Sequence, residues 1–223
     1  MDRQRFCRLW IRNRTPGAQA GRNTDAESVY ALIDGRYTQA SRYYHDGQHI
    51  VDCLRWFDRY SDQIEDPDAV ELAVWFHDAC FSPDPQGHEQ RATELLRQLA
   101  QGSIESQRLD AICNMILLTT HQQCPDNAEQ ALMLDIDLAS FARPWPLYLR
   151  DTARCRAEMP PSLYQDYGAC QLGFLRKLLG REQIYYHPLF RANHEADARA
   201  NITRLIGLLD ARSARGRTLT PGG

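Results

Sequence analysis

The stretch DPDAVELAVWFHDACF, at residues 66–81, decides the fold class of this chain. It opens with an aspartate and a proline, which is a helix-start signal because proline fits the first helical turn. Val70, Val74 and His77 then follow at the spacing of one face of a helix. We therefore predict a helix whose apolar face is buried, with His77 on that face and Asp78 directly beside it.

Helical periodicity recurs along most of the remaining chain. A threonine and a glutamate at residues 24–27 form a capping box, and the segments 49–60, 88–99 and 104–120 carry apolar residues at helical spacing. No alternating strand pattern of convincing length and no internal repeat interrupts them. The sequence predicts an all-α fold.

The length of 223 residues suits one compact domain with appendages. We expect a single helical domain over residues 24–209, preceded by an N-terminal extension over residues 1–23. Residues 210–223 carry no apolar period, and this composition predicts a disordered tail.

Composition narrows the class of protein. Hydrophobic residues make up 43% and charged residues 25% of the chain, as in ordinary globular proteins, and the net charge of −3 argues against an extended nucleic-acid surface. Seven cysteines without a CxxC pair predict reduced thiols and a cytoplasmic location. No signal-peptide pattern and no apolar run of about 20 residues occurs, so we expect no membrane partner. The absence of a GxxxxGK loop disfavours an ATP-driven enzyme.

The segment RYYHDGQHIVDCL, at residues 42–54, places His45 and His49 four residues apart on a predicted helix. Side chains at this spacing lie one above the other, with Cβ atoms roughly 5–6 Å apart. The two imidazoles can therefore point into one pocket. A chance meeting of two histidines at a helix start explains the same pattern.

Asp78 favours the first interpretation, because burying an unpaired ionised carboxylate beside His77 is costly and a divalent cation would supply the missing charge. A third acidic segment, LDIDL at residues 134–138, lies among apolar neighbours, although a helix cap and a surface acid also explain it. Together, the three segments predict a mixed nitrogen and oxygen ligand set that suits manganese, iron(II), zinc, cobalt or magnesium.

The order of these segments resembles the HD superfamily of metal-dependent phosphohydrolases, which is named after its His-Asp doublet. The resemblance rests on four motifs in order: RYYHDGQHI, VWFHDACF, ILLTTHQ and LMLDIDLASF. Residues 147–209 also resemble the C-terminal part of an uncharacterised branch of predicted HD phosphohydrolases, so the likeness covers residues 24–209. It implies an HD-domain-like helical bundle that binds one or more divalent cations and hydrolyses phosphoesters.

The same resemblance implies roles for individual residues. The implied metal ligands are His49, His77, Asp78 and Asp137, with Asp135 as the rival of Asp137. His45 matches the first histidine of a YHNxxH pattern in cyclic-nucleotide phosphodiesterases, where that histidine protonates the leaving oxygen.

Further polar residues are candidates for the same site. Glu89 is a catalytic candidate for orienting a water molecule, and His121 and His88 are candidates for a second metal or a phosphate oxygen. An interpretation as plain helix-terminal residues fits both histidines equally. The candidates for clamping a substrate phosphate are Arg42, Arg150 and Arg156, although most arginines are solvated surface residues.

The resemblance implies a divalent-metal-dependent phosphohydrolase, a phosphomonoesterase or phosphodiesterase that acts on a nucleotide or other small phosphoester through metal-activated water. Its cofactor would be Mn, Fe, Zn, Co, Ni or Mg. The alternative is a non-catalytic HD-like domain that binds a nucleotide or second messenger and signals through a partner. An iron-dependent HD oxygenase is also compatible with these ligands, whereas a ferritin-like di-iron bundle needs Glu-x-x-His pairs that His45, His77 and His121 lack.

Two kinds of partner are expected. One is a small, nucleotide-like phosphorylated substrate. The other is a second copy of the chain, because Trp10, Tyr43 and Trp145 are aromatic residues that could cover a partner surface.

Overall fold

The computed structural model describes residues 1–17, 24–82, 87–160, 162 and 164–218. Over these residues the chain forms ten α-helices and two short 3-10 segments and contains no β-strand, which confirms the predicted all-α class. No helix in these ranges is both long enough and apolar enough to cross a membrane. The helices, in chain order, are α1 (Arg3–Asn13), α2 (Ala26–Tyr37), α3 (Gly47–Tyr60), α4 (Pro67–Phe76), α5 (His88–Ala100), α6 (Ser106–Leu118), α7 (Ala128–Asp137), α8 (Trp145–Ala157), α9 (Tyr164–Leu179) and α10 (Pro188–Thr218).

The chain divides into two compact units, Met1–Asp137 and Leu138–Gly223. The first unit holds α1 to α7, and the second holds α8 to α10. The single domain expected over residues 24–209 spans both units, and its limits stay a prediction.

Helix α10 continues through Thr218, into the segment expected to be a disordered tail, because alanine and arginine are strong helix formers. Residues 219–223 lie outside the described residues.

Helix α4 is the centre of the first unit. Asp66 caps its start by accepting a hydrogen bond from the Ala69 amide at 3.0 Å, and Pro67 occupies its first turn. Every residue from Ala69 to Phe76 is buried, and α1, α3, α5, α6 and α7 all contact this helix. The structure thus contains the buried helix that the opening stretch predicts.

Helix α1 belongs to the core of the first unit rather than to a separate extension. Phe6 and Trp10 are fully buried, and their rings stack at a centroid distance of 6.2 Å. Arg5 reaches the buried Glu71 of α4, with a nitrogen–oxygen distance of 2.7 Å. Residues 18–23 of the expected extension lie outside the described residues.

The burial of Trp10 corrects one of the expected partner contacts. Its Nε1 donates to the carbonyl of Thr24 at 3.1 Å, and its ring stacks on Phe76 at 6.2 Å, so Trp10 cannot cover a partner surface. Arginines interrupt the apolar residues of α1 and obscure their helical spacing in the sequence. Tyr43 is half exposed, and the ring of Trp145 lies under a guanidinium group of the second unit.

In the second unit, an arginine satisfies backbone carbonyls that follow a helix. Arg199 on α10 donates from Nη1 to the carbonyl of Leu179 at 3.1 Å. Its Nη2 donates to the carbonyls of Arg181 at 2.8 Å and Glu182 at 3.0 Å. These bonds fix the loop after α9, since the last carbonyls of a helix have no partner within the helix itself.

Replacing Trp10 by Ala should lower the free energy of unfolding by about 3–5 kcal/mol, because the change removes a buried indole and leaves a cavity. Urea unfolding followed by circular dichroism measures the loss. Ile11→Ala on the same helix is the control, since Ile11 is 61% exposed and such surface changes stay within about 0.5 kcal/mol. Equal losses in the two variants would contradict the place of α1 in the core.

Candidate metal centre

His49 lies in the first turn of α3. The carboxylate of Asp46 caps this helix by accepting hydrogen bonds from the amides of Gln48 at 2.8 Å and His49 at 3.1 Å. The helix therefore begins at Gly47, and His45 precedes it. The prediction that both histidines stand on one helix is wrong, because the capping aspartate ends the helix between them. Their ring centres nevertheless lie 5.8 Å apart.

His77 and Asp78 lie where α4 ends, and both are buried. Nδ1 of His77 lies 2.9 Å from the carbonyl oxygen of Val74. Because a carbonyl only accepts, Nδ1 carries a hydrogen and donates it. When the imidazole is neutral, Nε2 of His77 therefore carries no hydrogen, and its lone pair faces away from the helix backbone.

Four side chains converge in the first unit: His49, His77, Asp78 and Asp137. Nε2 of His77 lies 3.2 Å from Nε2 of His49 and 3.0 Å from Oδ2 of Asp78. Oδ1 of Asp137 lies 3.5 Å from the same His77 nitrogen and 4.0 Å from Nε2 of His49. Ligand atoms held at about 2.0–2.2 Å from one metal are themselves separated by roughly 3–4 Å. This group can therefore hold a metal ion.

The electrostatics of the group also require a positive charge. Burial by itself lowers the pKa of His77, but the charge of Asp78 and the hydrogen bond and charge of Asp137 outweigh it, so this pKa stands well above its ordinary value. Burial raises the pKa of Asp78, yet the positive charges of His77 and His45 hold it well below the usual range. A proton on His77 and a bound cation are therefore alternative ways to neutralise the carboxylates of Asp78 and Asp137.

Asp137, the last residue of α7, supplies the more exposed of the two carboxylates in the cluster. Burial raises its pKa, but hydrogen bonds from His121 and His77 bring it below the usual range. Its side chain keeps 18% exposure, against 1% for His77. Asp135, two residues earlier on α7, is fully buried, and it does not belong to the ligand group found among the described residues. The geometry favours Asp137 over its rival as the ligand, and its role stays a prediction.

His121 holds the outer oxygen of Asp137. Its Nε2 lies 2.8 Å from Oδ2 of Asp137, which leaves Oδ1 turned towards His77. His121 has a φ of 55°, a left-handed conformation that is uncommon for a residue other than glycine and costs on the order of 1 kcal/mol. The buried ring thus reaches the carboxylate from a strained turn after α6.

The other predicted catalytic residues border the cluster. His45 stacks on Phe81 at a ring distance of 4.0 Å. Nε2 of His88 lies 3.1 Å from Oε1 of Glu89 and 4.0 Å from Oδ1 of Asp78. Five of the seven histidines of the chain are thus in the first unit, at or beside the ligand group. The catalytic roles of His45, Glu89 and His121 stay predictions.

Of the three arginines expected to clamp a phosphate, Arg42 is held by the backbone, and the roles of Arg150 and Arg156 stay predictions. Both terminal nitrogens of Arg42 donate to backbone carbonyls, so we assign this residue to the structure of the turn instead. Arg150 and Arg156 lie on α8 in the second unit, where Arg150 donates to Asp151 at 2.9 Å.

Cys53 is a neighbour of the cluster that the sequence interpretation missed. Its sulfur lies 3.6 Å from Nε2 of His49, one helical turn away on α3. Burial raises the pKa of the Cys53 thiol, which therefore stays neutral and packs as an apolar neighbour. The i, i+4 spacing between His49 and Cys53 is the feature of the sequence that predicts this contact.

Fold and site together define an all-helical protein with a buried group of two histidines and two aspartates that can hold a metal ion. Comparisons with known protein families, with curated proteins and with solved structures returned no match.

Asp137→Asn should weaken metal binding strongly, because the neutral amide removes one of the two charges that attract the cation. Asp135→Asn is the matched control, two residues away and fully buried. It should keep the metal affinity and lower only the thermal stability. Titration of the metal-free proteins with Mn²⁺, followed by electron paramagnetic resonance, separates the two. A loss of affinity confined to Asp135→Asn would reverse the assignment.

The raised pKa of His77 predicts how metal binding depends on pH. Protonated His77 stabilises the metal-free fold below the unfolded value of 6.5, and this stabilisation is lost as pH rises through the higher folded pKa. A metal ligand must be the neutral imidazole, so binding releases a proton. The increase in Tm on adding Mn²⁺ should therefore be larger at about pH 8.5 than at about pH 6. Equal increases at both pH values would contradict a role for His77 as ligand.

Proposed function

We propose that this chain is a divalent-metal-dependent phosphohydrolase of the HD type, which hydrolyses a small phosphoester with water. The observation that carries the proposal is the convergence of His49, the doublet His77-Asp78 and Asp137 on one point, in the order that the resemblance implies. Two carboxylates and two imidazoles leave coordination positions open for water and for a phosphoryl oxygen, unlike the closed four-cysteine sets of structural zinc sites.

A divalent cation bound by this set would supply Lewis acidity and lower the pKa of a water molecule towards neutrality. The protein side chains contribute charge and orientation. The two carboxylates bring two negative charges, of which Asp137 lies on the more exposed side. His121 fixes the orientation of that carboxylate through the contact of 2.8 Å. The more open side of the group is then the direction from which a phosphoester approaches.

His45 is the residue that we propose as the proton donor to the leaving oxygen. Its ring lies beside His49 but outside the four-residue ligand group, and its stacking on Phe81 restricts its orientation. An imidazole exchanges protons near neutral pH, and a departing alkoxide needs one.

Glu89 and His88 are the residues that we propose to orient water at the second edge of the group. Glu89 is buried and its carboxylate pairs with His88, which in turn faces Oδ1 of Asp78. Polar side chains thus lead from Asp78 to His88, whose imidazole is more exposed than the carboxylates of Glu89 and Asp78. The metal would be Mn, Fe, Zn, Co, Ni or Mg, since the mixed ligand set suits all of these.

The test is a panel of phosphomonoesters, phosphodiesters and nucleotides, each supplied with Mn²⁺, Co²⁺, Ni²⁺, Zn²⁺, Fe²⁺ or Mg²⁺. Wild-type protein should turn over at least one compound. His45→Ala should lower kcat by about 10²- to 10⁴-fold while keeping its metal, whereas His77→Ala should lose both metal and turnover. His194→Ala, in the second unit, is the control and should change neither.

The outcomes distinguish the alternatives. Tight nucleotide binding without turnover of any compound would support the non-catalytic binding domain instead. Full metal content in His77→Ala would remove the basis of the proposal, because the doublet could not then be the ligand.

A further inference from the structure

Arg42 lies between α2 and α3, is 8% exposed, and joins two segments of the metal centre. Its Nη1 donates to the carbonyl of His45 at 2.9 Å and to that of Asp78 at 2.8 Å. Its Nη2 donates to the carbonyls of Ala79 at 3.1 Å and Phe81 at 3.4 Å. Each terminal nitrogen has two N–H groups, so four donors meet four carbonyls and none of them is left for a phosphate.

A buried guanidinium is costly unless its charge is compensated. In the part of the chain that the structure describes, no carboxylate pairs with Arg42, and its buried Nε makes no hydrogen bond. The compensation comes from the carbonyls that follow α4, where the helix dipole is negative. Aromatic rings add to it, because the guanidinium carbon lies 5.1 Å from the Tyr37 ring centre and 5.8 Å from that of Phe81.

We propose that Arg42 is a positioning residue of the metal centre. Its Nη1 bridges the segment that carries His45 to the turn that carries Asp78, and thereby fixes the distance between the proposed proton donor and a metal ligand. The part of this proposal that concerns His45 rests on the proposed function. The part that concerns Asp78 rests only on the ligand group.

In the described part of the chain, Arg42 binds three carbonyls of the turn at Asp78, more than the backbone amides of that turn do. Beyond α4, its backbone bonds are Ala79 N to Phe76 O at 2.9 Å and Phe81 N to Asp78 O at 3.0 Å. The carbonyls of Asp78, Ala79 and Phe81 all accept from the guanidinium. Without it, this turn can rotate, and the Asp78 carboxylate moves with its backbone. Metal coordination tolerates displacements of only about 0.5 Å, so a shift of the turn weakens binding.

Lysine separates the charge of Arg42 from its geometry. A lysine ammonium keeps the positive charge but offers three donors from one nitrogen, so it cannot span four carbonyls in the way that a planar fork does. If charge alone matters, Arg42→Lys should behave like the wild type. If geometry matters, Arg42→Lys should resemble Arg42→Met.

Arg199 is a matched control in the second unit. It also donates to several backbone carbonyls after a helix, those of Leu179, Arg181 and Glu182, and none of its recorded partners belongs to the ligand group. Arg199→Met therefore removes comparable backbone hydrogen bonds, together with the ion pair of 2.6 Å between Arg199 and Glu195, and reports the structural effect of losing such contacts in the second unit.

The experiment is a titration of the metal-free wild type, Arg42→Met, Arg42→Lys and Arg199→Met with Co²⁺, followed by its visible absorption. Arg199→Met should lower Tm and leave both the Co²⁺ Kd and the spectrum unchanged. Both Arg42 variants should weaken binding by about 10- to 100-fold, as supporting contacts of metal ligands do. Their spectra should also change, since absorption intensity follows coordination geometry. If Arg42→Met does not fold, Arg42→Lys supplies the same readout.

Two results would overturn the proposal. One is an unchanged Co²⁺ Kd and spectrum in an Arg42 variant whose Tm has fallen, which would make Arg42 purely structural. The other is absence of Co²⁺ binding by the wild type.

With saturating metal, His45→Ala should reduce kcat by a smaller factor in the Arg42→Lys background than in the wild type. If the wild type turns over no phosphoester, the proposed function fails, whereas the Co²⁺ titration still decides the role of Arg42.

Discussion

The hydrogen bond between Nδ1 of His77 and the carbonyl of Val74 determines the chemistry of the whole site. It turns the second nitrogen of a fully buried imidazole towards another imidazole and two carboxylates, at 3.0–3.5 Å. Lone pairs at such distances repel one another unless a proton or a metal ion lies between them. The packing of five helices around α4 prevents the ring from moving away. The fold therefore holds these groups in an arrangement that a positive charge at their centre stabilises.

The polar groups of this site lie at or beside the ends of helices. Asp46 ends the segment of His45 and starts the helix of His49, Arg42 holds the turn after α4, and a left-handed residue at His121 aims an imidazole at Asp137. Helix ends are suited to this purpose because their unpaired amides and carbonyls bind side chains without disturbing the helix. The four side chains of the ligand group thus lie at or beside the ends of α3, α4 and α7.

The sequence predicts the parts of this arrangement that depend on local patterns. The period of α4 locates the buried helix, and the doublet at its end identifies the polar residues, because a buried carboxylate needs a charge partner. Arg42 and Trp10 could not be interpreted in this way. In a sequence, an arginine that binds four carbonyls looks the same as an arginine that binds a phosphate. Only the tertiary contacts distinguish the two roles. Likewise, the capping role of Asp46 separates His45 from the helix although the i, i+4 spacing is intact.

The first unit does not depend on a metal ion for its folding. The first unit has a large apolar core built around α4, α1 and α6, and a core of this size folds without a metal. Structural zinc sites are usually rich in thiolates and closed, whereas the only thiol beside this cluster in the described chain is the neutral Cys53. When no metal is bound, a proton on His77 meets the same charge requirement. A site that is stable with either cation can exchange its metal without unfolding.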